Sequence, residues 1–121
     1  MKSETRRLNK LKDTSHNLAK RYKLPEAALK IIERAGKIHG QQSRAIQVAV
    51  EILWRFYSPS VPVRIPESIF NSPLVGRTYK LPPRTVELID ALAGEYETRG
   101  KVLAACAAVL SAPEPRARMS R

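Results

Sequence analysis

Two short segments of the chain alternate cationic or hydroxyl side chains with large apolar ones. They are Arg21-Tyr22-Lys23-Leu24-Pro25 and Thr78-Tyr79-Lys80-Leu81-Pro82, which share four of five residues at an offset of 57. Arg, Lys and Thr can all hydrogen-bond phosphate oxygens or base edges. Alternation with period two is typical of a half-buried strand, so the pattern predicts strands at 21–24 and 78–81. Each strand would expose its donors on the face opposite to its apolar side chains.

The offset of 57 persists beyond these segments, so the chain contains an internal repeat. After each strand, proline can open a helix, because its missing N–H is not needed there. Apolar residues then recur near helical spacing and predict two first helices of about fourteen residues. These residues are Leu29, Ile32 and Ile38 in the first copy, and Val86, Ile89, Leu92 and Tyr96 in the second.

A second helix is predicted in each copy, beginning near the equivalent positions Gln41 and Thr98. Thr98 is a good N-cap residue and Gln41 a weaker one. The helix over 101–110 is apolar on all sides, which indicates burial on most of its surface. We expect Cys106, Trp54 and Phe56 to belong to the core. Four prolines between the copies indicate an extended connector, with one helical turn at 68–70.

One strand and two helices cannot form a core alone, whereas two copies can pair their strands and share four helices. The predicted fold class is therefore mainly α with a two-stranded antiparallel β-ribbon. The predicted segments are a basic arm (1–19), repeat 1 (20–56), a Pro-rich connector (57–75), repeat 2 (76–110) and a basic tail (111–121), with 20–110 forming one structural domain. A two-stranded ribbon is narrow enough to enter the major groove of DNA.

The net charge is +11, and residues 1–23 contribute eight basic residues against two acidic ones. Such a charge favours a polyanionic partner. One cysteine excludes an internal disulfide, and no Cys or His cluster has metal-ligand spacing. No apolar run reaches the ~20 residues of a membrane span. No catalytic constellation or phosphate-binding loop is present, so we expect neither an enzyme nor a bound metal or cofactor.

The order of elements in each copy resembles the ribbon-helix-helix family of DNA-binding proteins. It consists of a strand, a proline, an amphipathic helix, a glycine turn and a capped second helix. The resemblance covers 20–56 and 76–110 and implies two units fused into a monomeric pseudo-dimer that binds double-stranded DNA. It also implies that the outward strand residues contact bases: Arg21, Lys23, Thr78 and Lys80. Lys20 and Arg77, which flank the outward residues, would contact phosphates. Further phosphate contacts would come from the starts of the second helices: Gln42, Ser43 and Arg44 in the first copy, and Thr98, Arg99, Gly100 and Lys101 in the second.

The tandem arrangement with its connector and arm resembles more narrowly the members of this family that bind the T-DNA transfer enhancer in agrobacterial virulence systems. That likeness implies an accessory role in T-DNA or conjugative transfer in the bacterial cytoplasm, beside a nicking enzyme (relaxase) complex and a partner ATPase. This chain would then be the C-terminal part of a longer protein. The alternatives are a repressor or antitoxin of the same family and, in a different class, an RNA-binding or protein-interaction module. Because the two copies differ, we expect a non-palindromic site.

Overall fold

The computed structural model describes residues 17–57 and 62–111, which are mainly helical with one two-stranded antiparallel sheet. This confirms the coarse fold class expected from the sequence. The predicted arm (1–19) and tail (111–121) lie outside the described residues, except that 18–19 begin the first strand and Ser111 ends the last helix.

The sheet pairs strand β1 (Leu18–Pro25) with strand β2 (Leu74–Leu81). Both strands are longer than the predicted four residues, because the ladder continues through the residues flanking each repeated segment. Arg21 lies directly opposite Thr78, so the two equivalent positions of the repeat face each other at the middle of the ribbon. One face of the ribbon is buried, as predicted, by Tyr22, Leu24, Tyr79 and Leu81.

Four long helices follow the strands in pairs: α1 (Glu26–His39) and α2 (Gln42–Phe56) after β1, and α4 (Pro83–Tyr96) and α5 (Arg99–Ser111) after β2. Adding 57 to the bounds of α1 gives those of α4, and adding it to the start of α2 gives the start of α5. The turns between the paired helices also match. Gly40 has φ +96°, and the equivalent residue, Glu97, has φ +80°.

Helix α5 forms the centre of the core and contacts α1, α2, α4 and β1. Every residue from Val102 to Val109 is buried. This explains why α5 is apolar on all sides: helices or the ribbon cover most of its surface. Cys106 is fully buried here, as expected, and burial raises the pKa of its thiol.

The connector contains a short helix, α3 (Glu67–Phe70), close to the turn predicted at 68–70. Its Ile69 is buried in the core, and α3 contacts both α1 and α5. The start of α1 is bound to the residues after α3. The Glu26 N–H donates to the Pro73 carbonyl (2.8 Å), and the Ala27 N–H donates to the Ser72 hydroxyl (3.1 Å). The part of the connector that contains α3 and residues 72–73 is therefore packed against α1 and α5.

Ile38, whose spacing helped to predict α1, is 82% exposed, because it lies six residues, or about 240°, around α1 from the buried Ile32. Two core predictions are wrong. Trp54 is 47% exposed, because it lies about 100° around α2 from Leu53, which faces the core. Phe56 is 44% exposed and ends α2, where it lines a surface cleft.

Candidate nucleic-acid interface

The outer face of the ribbon carries the four side chains predicted to contact bases. Arg21, Lys23, Thr78 and Lys80 are all exposed. Successive side chains of a strand point to opposite faces, so burial of the tyrosines and leucines directs these four outward. The structure therefore brings them together on one exposed surface, which we call the ribbon face.

Arg21 crosses the ribbon toward Gly76, which pairs with Lys23 on the opposite strand. A Cβ on residue 76 would lie 2.8 Å from the Arg21 Cζ atom, so with a larger residue at 76 the guanidinium would have to move. Gly76 was not among the residues predicted from the sequence to form the site. Glycine inside a strand often marks a close approach, and that signal could have identified it.

Two buried hydroxyls lie beneath the ribbon face. The Tyr22 and Tyr79 hydroxyls have no hydrogen-bond partner among the described residues. Burial raises the pKa of Tyr22 to about 12, with a further contribution from the carboxylate of Asp90. Burial also raises the pKa of Tyr79, although the nearby guanidinium of Arg77 opposes the shift without reaching hydrogen-bond geometry. The apolar rings thus anchor the ribbon while their polar ends remain unsatisfied.

Lys20 and Arg77 alternate with the outward residues and so belong to the tyrosine side of the ribbon. Arg77 donates to the Glu33 carboxylate of α1 at 2.9 Å. Lys20 is exposed. A phosphate contact by Arg77 would therefore have to share this guanidinium with Glu33.

The starts of α2 and α5 differ in their capping. The Thr98 hydroxyl accepts from the Lys101 N–H at 3.1 Å, as its N-cap position predicts, whereas Gln41 makes no side-chain cap. Neither helix has an acidic residue in its first turn, so both ends retain the positive pole of the helix dipole. Among the residues predicted at the start of α2, Arg44 is exposed, and Gln42 and Ser43 are half-buried.

The cations at these helix starts already have local partners. Arg99 donates to Asp90 and Lys101 to Glu97, both at 2.5 Å, and Arg44 donates to Gln47 at 3.5 Å. All three pairs are exposed contacts, which contribute little and exchange easily. An arriving anion could therefore compete for these cations.

Gly100 fits the start of α5 against the ribbon. A Cβ there would overlap the Lys23 carbonyl oxygen, which belongs to the backbone of β1. Glycine thus allows direct contact between the helix start and the strand that carries Lys23. Gly100 was predicted to contact phosphate; what the structure shows is this packing role.

Helix α1 exposes a row of cations that the sequence analysis did not name. Lys30, Arg34 and Lys37 line an open cleft of about 660 Å³ together with the start of α2. Their spacing of four and three residues places them on one helix face, and this spacing could have revealed them. The equivalent residues of α4 are Glu87, Ala91 and Gly94, so the two flanks of the molecule differ in charge.

Within residues 17–57 and 62–111, no three His, Cys, Asp or Glu side chains are grouped so that they could hold a metal ion. None of the helices in these ranges is long and apolar enough to cross a membrane. Comparison of the chain with protein-family models, with curated proteins and with solved structures finds no match in any of the three.

Proposed function

We propose that this chain binds double-stranded DNA by inserting the β1–β2 ribbon into the major groove, as two ribbon-helix-helix units fused in one polypeptide. The observation that carries the proposal is the ribbon face, on which Arg21, Lys23, Thr78 and Lys80 are exposed together above a buried apolar face. The major groove is wide enough for a two-stranded ribbon, and each base pair presents a distinct donor and acceptor pattern there.

The backbone supports the assignment of two fused units. The same offset relates the bounds of α1 and α4, the starts of α2 and α5, and the positive-φ residues Gly40 and Glu97. If a two-fold axis relates the two copies, equivalent residues lie opposite each other only where that axis crosses the ribbon. Arg21 and Thr78 are equivalent in the repeat and lie opposite each other, so they occupy this position.

The chemistry of the ribbon face predicts an asymmetric target. Arginine can bind guanine O6 and N7 with two hydrogen bonds, whereas threonine contacts a single base atom or a thymine methyl. Arg21 lies toward Gly76, and the position equivalent to Gly76 in the first copy is Ala19. The two half-sites therefore present different surfaces, unlike those of a homodimer.

Phosphate binding would hold the ribbon in register. The starts of α2 and α5 present partly free N–H groups and nearby cations to an anion. The contact of Gly100 with Lys23 ties one of these helix starts directly to the ribbon. A phosphate at α5 would then position Lys23 over a particular base pair, which is how backbone contacts set the register of base contacts.

Selection from a randomised duplex pool tests the proposal. We expect a non-palindromic consensus, and affinity that falls steeply with salt because bound cations release counterions from the phosphates. Arg21→Ala and Lys80→Ala should each cost roughly 1–3 kcal/mol on the selected duplex and little on random duplex. Lys37→Ala, which removes an exposed cation from α1, is the matched control for loss of charge and should not change the preference between the two duplexes.

Two outcomes would contradict the proposal. If Arg21→Ala and Lys80→Ala weaken selected and random duplex equally, the ribbon does not read the sequence. If single-stranded DNA or RNA competes as well as duplex, the chain belongs to the RNA-binding or single-strand class.

We further propose that the DNA site lies in a transfer region, where the chain assists a relaxase complex and its partner ATPase. This part of the proposal rests on the likeness of the tandem arrangement to proteins that bind the T-DNA transfer enhancer. Its test is the genomic position of the selected sequence, which should adjoin a nicking site. Occurrence upstream of promoters instead would indicate a repressor or an antitoxin.

A further inference from the structure

The connector occupies a groove in one half of the molecule. Helix α3 lies against the start of α1 and the side of α5, and Ile69 is only 4% exposed. The Phe70 ring lies beneath the Lys101 ammonium, 5.1 Å from its centroid. Ser72 and Pro73 accept hydrogen bonds from the first N–H groups of α1. A helical turn that follows Pro66 and carries Ile69 and Phe70 therefore fills this groove.

The internal repeat generates an equivalent groove in the other half. The offset of 57 converts the start of α1 into the start of α4, and Lys101 of α5 into Arg44 of α2. A cleft of about 460 Å³ lies at that place, which we call the α2–α4 cleft. Its lining includes Arg44, Val48, Ile52, Phe56, Pro82 and Arg84. No turn of the described residues corresponds to α3 on this side.

The lining of the α2–α4 cleft combines an apolar floor with a cationic rim. Val48, Ile52 and the half-exposed Phe56 supply the apolar surface. Arg55 and Arg84 both pair with the Glu51 carboxylate, and Arg44 also lines the cleft. Arg84 donates to Glu51 at 2.7 Å and Arg55 lies at 3.5 Å, and hydrogen bonding from Arg84 lowers the pKa of Glu51. The three guanidinium groups exceed the charge of Glu51 and of Glu87, which acts on Arg84, so the rim is net positive.

We propose that the α2–α4 cleft binds a short acidic helical turn of a partner protein, seated as α3 is seated in the equivalent groove. An aliphatic side chain would contact Val48 and Ile52, and an aromatic ring would lie near Arg44, as Phe70 lies near Lys101. Acidic residues of the partner would pair with Arg84 and Arg55. The proposal rests on the cleft and not on the ribbon face, and Arg44 is the one lining residue that it shares with the phosphate contact proposed at the start of α2.

Differences between the grooves predict a weaker, reversible contact. Pro83 has no N–H where Glu26 donates to Pro73, so an occupant loses that backbone bond and depends on the Arg84 guanidinium instead. Gln47, Val48 and Glu51 replace three alanines of α5, which are Ala104, Ala105 and Ala108. These larger side chains keep an occupant farther from the helix axis than α3.

The test uses the whole chain, isotopically labelled, and a capped synthetic peptide with the sequence of residues 66–73, which contains the turn that fills the other groove. We expect saturable chemical-shift changes confined to the α2–α4 cleft, at Val48 and Ile52. Because Phe56 is already half-exposed and ends its helix, Phe56→Ser should leave the fold intact and weaken peptide binding by about tenfold. Arg84→Ser should also weaken binding, and added salt should reduce the contribution of the charges.

Ile38→Ser is the matched control, because it removes an exposed apolar side chain from α1, outside the cleft, and should bind the peptide as the parent chain does. The proposal is overturned if no saturable shift occurs, if the shifts map to the ribbon face, or if Phe56→Ser and Ile38→Ser bind equally. Duplex DNA that produces the same saturable shifts at Val48 and Ile52 would assign the cleft floor to nucleic acid and overturn it as well. Lys80→Ala should leave peptide binding unchanged, so failure of the DNA proposal and failure of this one are distinguishable.

Discussion

Replacing Gly100 by alanine tests how the start of α5 is seated against the ribbon. The added Cβ would overlap the Lys23 carbonyl oxygen. That oxygen belongs to the backbone of a paired strand, so it cannot rotate away as a side chain could. Overpacking of this kind costs about 1–3 kcal/mol, and the better helix propensity of alanine offsets about 1 kcal/mol of it. We expect Gly100→Ala to lower the free energy of unfolding by up to about 2 kcal/mol.

The matched substitution is Gly94→Ala, which makes the same chemical change in α4. A Cβ on residue 94 meets no atom within 4 Å, and the residue is exposed. Alanine should therefore raise the free energy of unfolding by about 0.5–1 kcal/mol through backbone entropy alone. Urea denaturation followed by circular dichroism measures both values, provided that the two variants keep the same m-value.

The two substitutions should change the free energy of unfolding in opposite directions. The comparison therefore does not depend on the absolute size of either change. Gly100→Ala should also reduce affinity for the selected duplex, because displacing α5 moves the strand that carries Lys23. A Gly100→Ala variant as stable as Gly94→Ala would refute the close packing of helix start and ribbon. It would also remove the proposed mechanical link between the phosphate contact and the ribbon.

Three further predictions follow from buried groups and backbone conformation. Tyr22→Phe removes a buried hydroxyl without a partner and should keep or raise the free energy of unfolding, by up to about 1 kcal/mol in urea denaturation. The pKa of Tyr22 is about 12 in the folded state against an ordinary value of 10.0, so the folded state binds more protons than the unfolded state between these pH values. The free energy of unfolding therefore falls as the pH rises from 10 to 12. The Phe variant should lack this part of the loss. Cys106 should react with a thiol reagent only at the rate of unfolding, because it is fully buried and its pKa is raised; rapid reaction of the folded chain would contradict its placement. Glu97→Gly should raise the Tm and Gly40→Ala lower it, since both positions have positive φ; scanning calorimetry showing the reverse order would contradict these turn conformations.

The elements of the fold were predictable where the relevant pattern is local. The alternation around Tyr22 and Tyr79 depends only on the two-residue period of a strand, and it predicted which side chains would be buried. The uniform apolarity of α5 likewise predicted its burial. Capping by Thr98 was predictable because the hydroxyl and the N–H that it binds are three residues apart.

Other features depend on which elements meet, and no local pattern encodes that. Trp54 and Phe56 have apolar side chains at positions that the described elements leave exposed, so their residue type alone misplaced them in the core. The pairing of Arg77 with Glu33 joins β2 to α1 across 44 residues. The α2–α4 cleft exists because the connector covers α5 and not α2, although the repeat makes the two helices equivalent.

Three features follow from the amino-acid sequence alone: the repeat, the ribbon with its buried and exposed faces, and the identity of the four side chains on the ribbon face. These follow from periodicity, since a period of two or 3.6 residues assigns a side chain to a face without knowledge of its neighbours. The approach of Arg21 to Gly76, the contact of Gly100 with Lys23, and the filling of just one of two equivalent grooves by the described residues could not be read from the sequence. These contacts join residues distant in sequence, so they arise only when the whole core has assembled.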